Sequence, residues 1–214
     1  MPGRCPFFED KTIAETHALI LFPKSVNGIP LTLNKLEHLT LTHAPTSIQY
    51  THYKDYVRAA HGETPITRSY WALVLKHLVP NSVNESYKEQ SKIIQTYSEK
   101  AKASYEAPRA IEVTVSVFAE FLQNQKKLYS EAEPSSSFTR CQETVVYQKF
   151  GDTRQVAVGC FDAGAAFIDS SFHREGPRTG ANKQFVDWED ANDDADGIGA
   201  VRPLTSRSWA SQRP

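Results

Sequence analysis

The stretch ETVVYQKFGDTRQVAVGCF, Glu143 to Phe161, sets two runs rich in valine, tyrosine and phenylalanine on either side of Gly151-Asp152. Branched and aromatic side chains suit a pleated surface, and a glycine-aspartate pair between two such runs folds one strand back on the other. It is the clearest hairpin signal in the chain, so the fold is expected to be built on antiparallel pairing. Towards the N-terminus, SYWALVLKHLVP (Ser69–Pro80) is the most apolar window and reads as a central strand. HALILF (His17–Phe22), ended by Pro23 and a turn signal over Ser25 to Gly28, reads as a buried strand. LTLNKLEHLTL (Leu31–Leu41) has mixed spacing, compatible with a strand running into a helix from about Asn34, and HYKDYVRAAHG (His52–Gly62) with one or two helical turns closed by the glycine.

Two helices separate the central strand from the hairpin. In SYKEQSKIIQTYSEKAKASY, Ser86 precedes Glu89 by three positions, the spacing at which hydroxyl and carboxylate cap each other's helix-end amides. Tyr87, Ile94, Tyr97 and Ala101 then recur near the helical period. Pro108 suits the first position of the second helix, along which Ile111, Val115, Phe118 and Leu122 form one stripe. The expected architecture is α+β. A mostly antiparallel sheet of HALILF, SYWALVLKHL, ETVVYQKF and QVAVGCF carries two amphipathic helices, Ser86–Tyr105 and Pro108–Tyr129, on one face. One globular domain spans residues 1–173. From Arg174 to Pro214, Gly, Asp, Asn, Arg and Ser replace aliphatics, which reads as a disordered tail with Phe185, Val186 and Trp188 as a docking patch.

Composition narrows the function classes. The chain has 214 residues, 40% hydrophobic and 23% charged, with a formal net charge of −1 and no single basic block, so nucleic-acid binding is not expected. No run approaches the roughly 18 apolar residues of a membrane helix, and ALILF is too short for a signal-peptide core. The three cysteines, Cys5, Cys141 and Cys160, form no C-x-x-C pair, and the seven histidines have no zinc spacing. Neither a metal nor a cofactor is implied, and a reducing compartment fits best. NDDADG (Asn192–Gly197) copies the opening of a calcium loop, but its twelfth place is Pro203 rather than glutamate, so it reads as an acidic, solvated segment.

The densest polar phrase is TRCQE, Thr139 to Glu143. Cys141 there has two readings. As a nucleophile it needs a histidine base, for which His17 and His77 are candidates beside strands, and an oxyanion donor such as Gln142 or Asn27. As a structural residue it is a small buried apolar group, and a neighbouring Arg140 on a strand would point to the opposite face. Trp71 and Tyr70 either line a ligand pocket or belong to the core.

Several phrases occur together, in order: CPFF from Cys5, AETHALIL from Ala14, VNGIPLTL from Val26, SYWALV from Ser69, PNSVNESYKEQ from Pro80, KLYS from Lys127, FTRCQE from Phe138 and VAVGCFDAG from Val156. Together they resemble the C-terminal region of F-box-like domain proteins of chlamydia-related intracellular bacteria. The resemblance implies a target-recognition region that, in longer relatives, follows a segment contacting a host ubiquitin-ligase adaptor; that segment is not seen ahead of CPFF. His17, Asn27, Trp71, Gln90, Arg140, Cys141, Gln142 and Glu143 match the family pattern, which assigns them no roles. Gly159-Cys160-Phe161 departs from the two glycines usual before phenylalanine, and Val186 to Pro214 has no counterpart.

Two functional readings follow. The first is a recognition module binding a protein partner, which the resemblance implies to be a host protein, through residues such as Trp71, Tyr70, Arg140, Glu143 and Asn27, in the cytoplasm or exported into a host cell by a route without a classical signal peptide. The second is a thiol enzyme with Cys141, His17 and Gln142 as its machinery. The oligomeric state is not readable.

Overall fold

The structure is a computed structural model and describes residues 3–43, 49–83, 85–124, 128–129, 138–147, 152–159, 165–170 and 197–204. The architecture is α+β, with two larger sheets and a small hairpin. The first sheet has the order β1-β5-β10, from β1 (His17–Phe22), β5 (Tyr70–Leu75) and β10 (Val201–Leu204), all antiparallel. The second has the order β4-β8-β7-β6-β9, from β4 (Gln49–Tyr53), β6 (Phe138–Tyr147), β7 (Asp152–Gly159), β8 (Ala165–Ser170) and β9 (Gly197–Ile198). Its inner pairs β6-β7 and β7-β8 are antiparallel, while β4 and β9 join as parallel edges. The predicted hairpin is β6-β7, and β5 is the centre of its sheet.

Helix α5 (Ala110–Asn124) lies against strands of both sheets. Ile20, Phe22, Ala72, Val74 and Val201 from the first sheet meet Ile111, Val113, Val117 and Phe118 of α5 and Val145, Val156, Val158 and Ile168 of the second sheet in one core. Between two sheets the helix is covered on nearly all sides, so polar Thr114 and Ser116 are buried as well, each donating to the carbonyl four residues back. Leu122, expected on the buried stripe, lies in the last turn and is exposed. Pro108 precedes the helix by two residues instead of opening it.

Helix α4 (Tyr87–Ala101) belongs to a second cluster, with Cys5, Phe7, Leu75, Val79, Ile94 and Tyr105, so the two helices serve different cores. Ser86 caps α4 as expected, accepting from Glu89 N at 3.2 Å, whereas the Glu89 carboxylate takes Lys92 Nζ at 2.6 Å. Because side chains alternate across a strand, this second cluster covers the His17–Leu75 end of the sheet face turned away from α5.

Two further helices, α2 (Leu33–His43) and α3 (Asp55–His61), flank β4. α3 ends at Gly62, as the sequence suggests, but Gly62 keeps a right-handed conformation. Space is what requires glycine there: an added Cβ would lie 2.4 Å from Arg58 O and 2.6 Å from Asn34 Oδ1. A short helix, α1 (Ile13–Thr16), leads into β1, and β2 (Ser25–Val26) and β3 (Ile29–Pro30) form the small hairpin.

Residues 197–204 fall within the stretch expected to be a tail, yet they form β9 and β10. β9 pairs with β6 and β10 with β5, so this one segment edges both sheets, and Ala200 and Val201 are fully buried. Backbone pairing and burial of two small apolar residues outweigh a glycine- and proline-containing composition here. The rest of 174–214, including Phe185, Val186, Trp188 and most of the NDDADG phrase, lies outside the described residues, as do Gly151 and Cys160.

Candidate functional site

The TRCQE phrase is a bulge. Arg140 stands opposite Ala157 and Thr144 opposite Gln155, so residues 141–143 face Val156 alone. Extra residues in one strand bend it and re-aim its side chains, and here they aim at the start of α5. Gln142 N donates to Pro108 O at 3.0 Å and Gln142 Nε2 to Ala107 O at 2.5 Å. Glu143 Oε2 accepts from Ala110 N at 2.9 Å, with Arg109 Nε 3.8 Å from its other oxygen. Glu112 turns back to accept from Arg109 N at 2.7 Å, and its second oxygen accepts a short hydrogen bond from the Tyr70 hydroxyl. The N–H groups at a helix start have no partner within the helix and carry its positive end, so two carboxylates satisfy them in number and in charge.

Three residues singled out from the sequence, Tyr70, Gln142 and Glu143, therefore converge on the N-terminus of α5, with Cys141 in the same bulge as the last two. Arg109 and Glu112 complete the cluster without having been anticipated. The spacing of Glu112, three residues after Arg109, is the signal that would have marked it as a cap. Tyr70 is also fixed by its ring, stacked on Phe22 at 5.2 Å between centroids. Burial raises the Glu112 carboxyl above the usual range, and burial with the Glu112 charge raises the Tyr70 phenol.

The chemistry open to Cys141 follows from its surroundings. It is fully buried, and its Sγ donates to Thr139 O at 3.6 Å. Burial pushes the thiol well above its ordinary value, and the nearby Glu143 and Glu112 push it in the same direction. The reactive form of cysteine is the thiolate, so this site favours a protonated, packed thiol. Arg140 does not offset it: its guanidinium is buried and donates to Glu85 O at 2.6 Å. The candidate base His17 sits in the second cluster, where its rings of contact are Phe7 and Tyr105, and burial lowers it to about 4. His61 does reach β6, its Nε2 engaged by the Thr144 carbonyl at 2.8 Å.

The remaining candidates are dispersed. Asn27, with φ of 52°, and Gly28, with φ of 79°, form the two-residue turn between β2 and β3, a left-handed pair suited to asparagine and glycine. Gln90 is buried and donates to Ser82 O at 2.7 Å. Trp71 stands on the face of the first sheet turned away from α5. Opposite it across β1 is Leu21, with Leu19 two residues earlier on the same face, and the three are 44%, 42% and 42% exposed. The continuous apolar run of β1 suggested burial on both faces; the second cluster covers only the His17 end.

A surface cavity of about 460 Å³ lies between β3, the start of α2 and the 63–65 connection, lined by Ile29, Thr32, Lys35, His38 and Glu63 among others. It contains none of the sequence candidates. Among the described residues, no group of three or more His, Cys, Asp or Glu is placed to hold a metal ion, and no helix is long and apolar enough to cross a membrane. Comparisons of the chain with protein-family models, with curated proteins and with solved structures give no match.

Proposed function

We propose that this chain is a protein-recognition module that acts by contact, with the open part of the β1-β5 face as its contact surface. The observation that carries this reading is the adjacency of Leu19, Leu21 and Trp71, each more than two-fifths exposed on one rigid sheet face. Scattered exposed apolar side chains are ordinary, but contiguous ones on a fixed scaffold favour association, and tryptophan is among the side chains that most often anchor a protein interface. Support also comes from Gln142 and Glu143 of the TRCQE phrase, which are engaged in holding the start of α5, and from the resemblance to the target-recognition region of F-box-like proteins, which points to a partner in a host cell.

The test compares the protein with a Leu21→Ser/Trp71→Ser variant in capture of partners from host-cell lysate across a range of salt. A discrete protein held by the parent, bound at least about 30-fold more weakly by the variant with thermal stability retained, supports the reading. Equal capture by both, or capture by neither, overturns it.

A further inference from the structure

β1 and β10 are the two edges of the first sheet, and they are finished differently. Along β10 the outward positions are closed. Val201 exchanges backbone bonds with Glu106 at 3.0 and 2.9 Å, and Pro203, next in that row, has no N–H to offer. β1 reads HALILF, with no lysine, carboxylate or proline to discourage pairing.

The ladder decides which backbone groups stand at the β1 edge. Lys76 N donates to Thr16 O at 2.8 Å, and these two residues continue the His17↔Leu75 register. Bonded and non-bonded residues alternate along an antiparallel pair, so Ala18, Ile20 and Phe22 bond to β5, while His17, Leu19 and Leu21 turn their N–H and C=O the other way. Two further bonds agree with this phase. His17 N donates to Ile13 O of α1, and Leu75 N, opposite His17, donates to Ala200 O at 3.0 Å, away from β1. α1 therefore closes the edge at His17, and Pro23 ends it beyond Phe22. Between them, the backbone of Leu19 and Leu21 faces no strand among the described residues. Their exposed side chains stand on the outer face, with Trp71 opposite Leu21.

An opening of three residues is about 10 Å long. That is short of the roughly 1,200 Å² that a stable contact between two folded copies buries, but it fits one extended segment. Charge at its ends gives the segment a direction: Glu15 is exposed just before the His17 end, and Lys24 just after the Phe22 end. In the antiparallel sense, the more stable pairing per residue, an added strand begins near Lys24 and finishes near Glu15.

We propose that the Leu19–Leu21 edge of β1 is a strand-addition site for an extended partner segment. The segment has an acidic N-terminal end, branched apolar residues opposite Leu21 and Leu19, and a basic C-terminal end. This inference rests on the recognition reading of the adjoining face and names the form in which the partner is held. Main-chain bonds supply the affinity, and the two apolar side chains extend the Trp71–Leu21 row.

The probe is the peptide acetyl-Asp-Thr-Val-Thr-Val-Thr-Lys-amide, read by amide hydrogen exchange on the full chain. In the free protein the Leu19 and Leu21 amides are expected to exchange at least about 10-fold faster than those of Ala18, Ile20 and Phe22. With peptide at about ten times its Kd, those two amides slow about 10-fold. N-methylation of both valines, whose N–H groups face β1, abolishes the slowing. N-methylation of the two threonines that follow them, whose N–H groups face away, leaves it in place. Exchanging the terminal Asp and Lys weakens binding about 3-fold at low salt. Protection of Leu19 and Leu21 in the free protein, no slowing with peptide, equal binding of the valine-methylated peptide, or equal binding after the terminal exchange overturns the proposal. The lysate comparison reads the face through side chains and this one reads the edge through the backbone, so either can fail without the other.

Discussion

If the bulge in β6 exists to hold the start of α5, then Glu143→Ala should cost stability of a size set by what it leaves behind. Ala110 is fully buried, and Glu143 Oε2 is the acceptor given to its N–H, at 2.9 Å. A hydrogen bond to a charged acceptor contributes about 1.5–3 kcal/mol, and a carboxylate at a helix start adds about 0.3–1 kcal/mol. The Arg109 contact, at 3.8 Å and partly exposed, adds little. The expected cost is therefore about 3 kcal/mol, or roughly 6–12 °C in Tm for a chain of this size. Glu143→Gln keeps an acceptor and loses only the charge, so it should cost about 1 kcal/mol. Equilibrium urea unfolding of the three proteins reads both numbers. A cost below about 0.5 kcal/mol for the alanine variant, or equal costs for alanine and glutamine, would refute the reasoning and return Glu143 to the list of residues kept for something other than the fold.

Cys141 should resist alkylation in the folded protein at pH 8 and label only at the rate of opening; with Cys5→Ser and Cys160→Ala to isolate the signal, labelling faster than global exchange would contradict the packed-thiol assignment. Glu112 has a folded value raised by burial, so its ionisation opposes folding at neutral pH, and the opposition is relieved as pH falls through that value towards the ordinary carboxylate range. The stability of the parent relative to Glu112→Gln should accordingly rise between pH 7 and pH 4.5, and a constant difference across that window would show that the carboxyl is not penalised. Gly62→Ala places a methyl 2.4 Å from Arg58 O of its own helix and 2.6 Å from Asn34 Oδ1 of α2 and should cost at least about 2 kcal/mol, measurable as a drop in Tm; a neutral alanine would mean that Gly62 is less crowded than described.

What the sequence disclosed follows from range. β1, β5, the β6-β7 hairpin and α4 rest on local signals, namely apolar runs, turn residues and the Ser86 cap, and these lie where local signals place them. β4 is written QYTHY and β8 AAFIDS, neither with the alternation or branched composition of a half-buried strand, and both depend on pairing with each other. The 197–204 strands carry Gly, Pro and Arg, and only their two distant partners make them strands. The polar density of TRCQE was visible, but its role rests on a register offset and on a helix more than 30 residues earlier in the chain, as the 33-residue separation of Glu143 from Ala110 shows. In the same way, an apolar run reveals that β1 belongs to a sheet without revealing which part of its outer face another segment covers.

The placement of residues 197–204 also sets a schedule for making the protein. About 130 residues separate Val74 from its β10 partner Val201, so at synthesis rates of roughly 5–20 residues per second the first sheet waits some 6–25 s for its third strand. During that interval the β5 edge and the seat of Val201 stand open on the nascent chain, where an unpaired strand invites association with any other extended segment. The protein is therefore most in need of a chaperone after β5 has emerged and before 197–204 arrives, and a stop codon in that interval removes β9 and β10 together, an edge strand from each sheet.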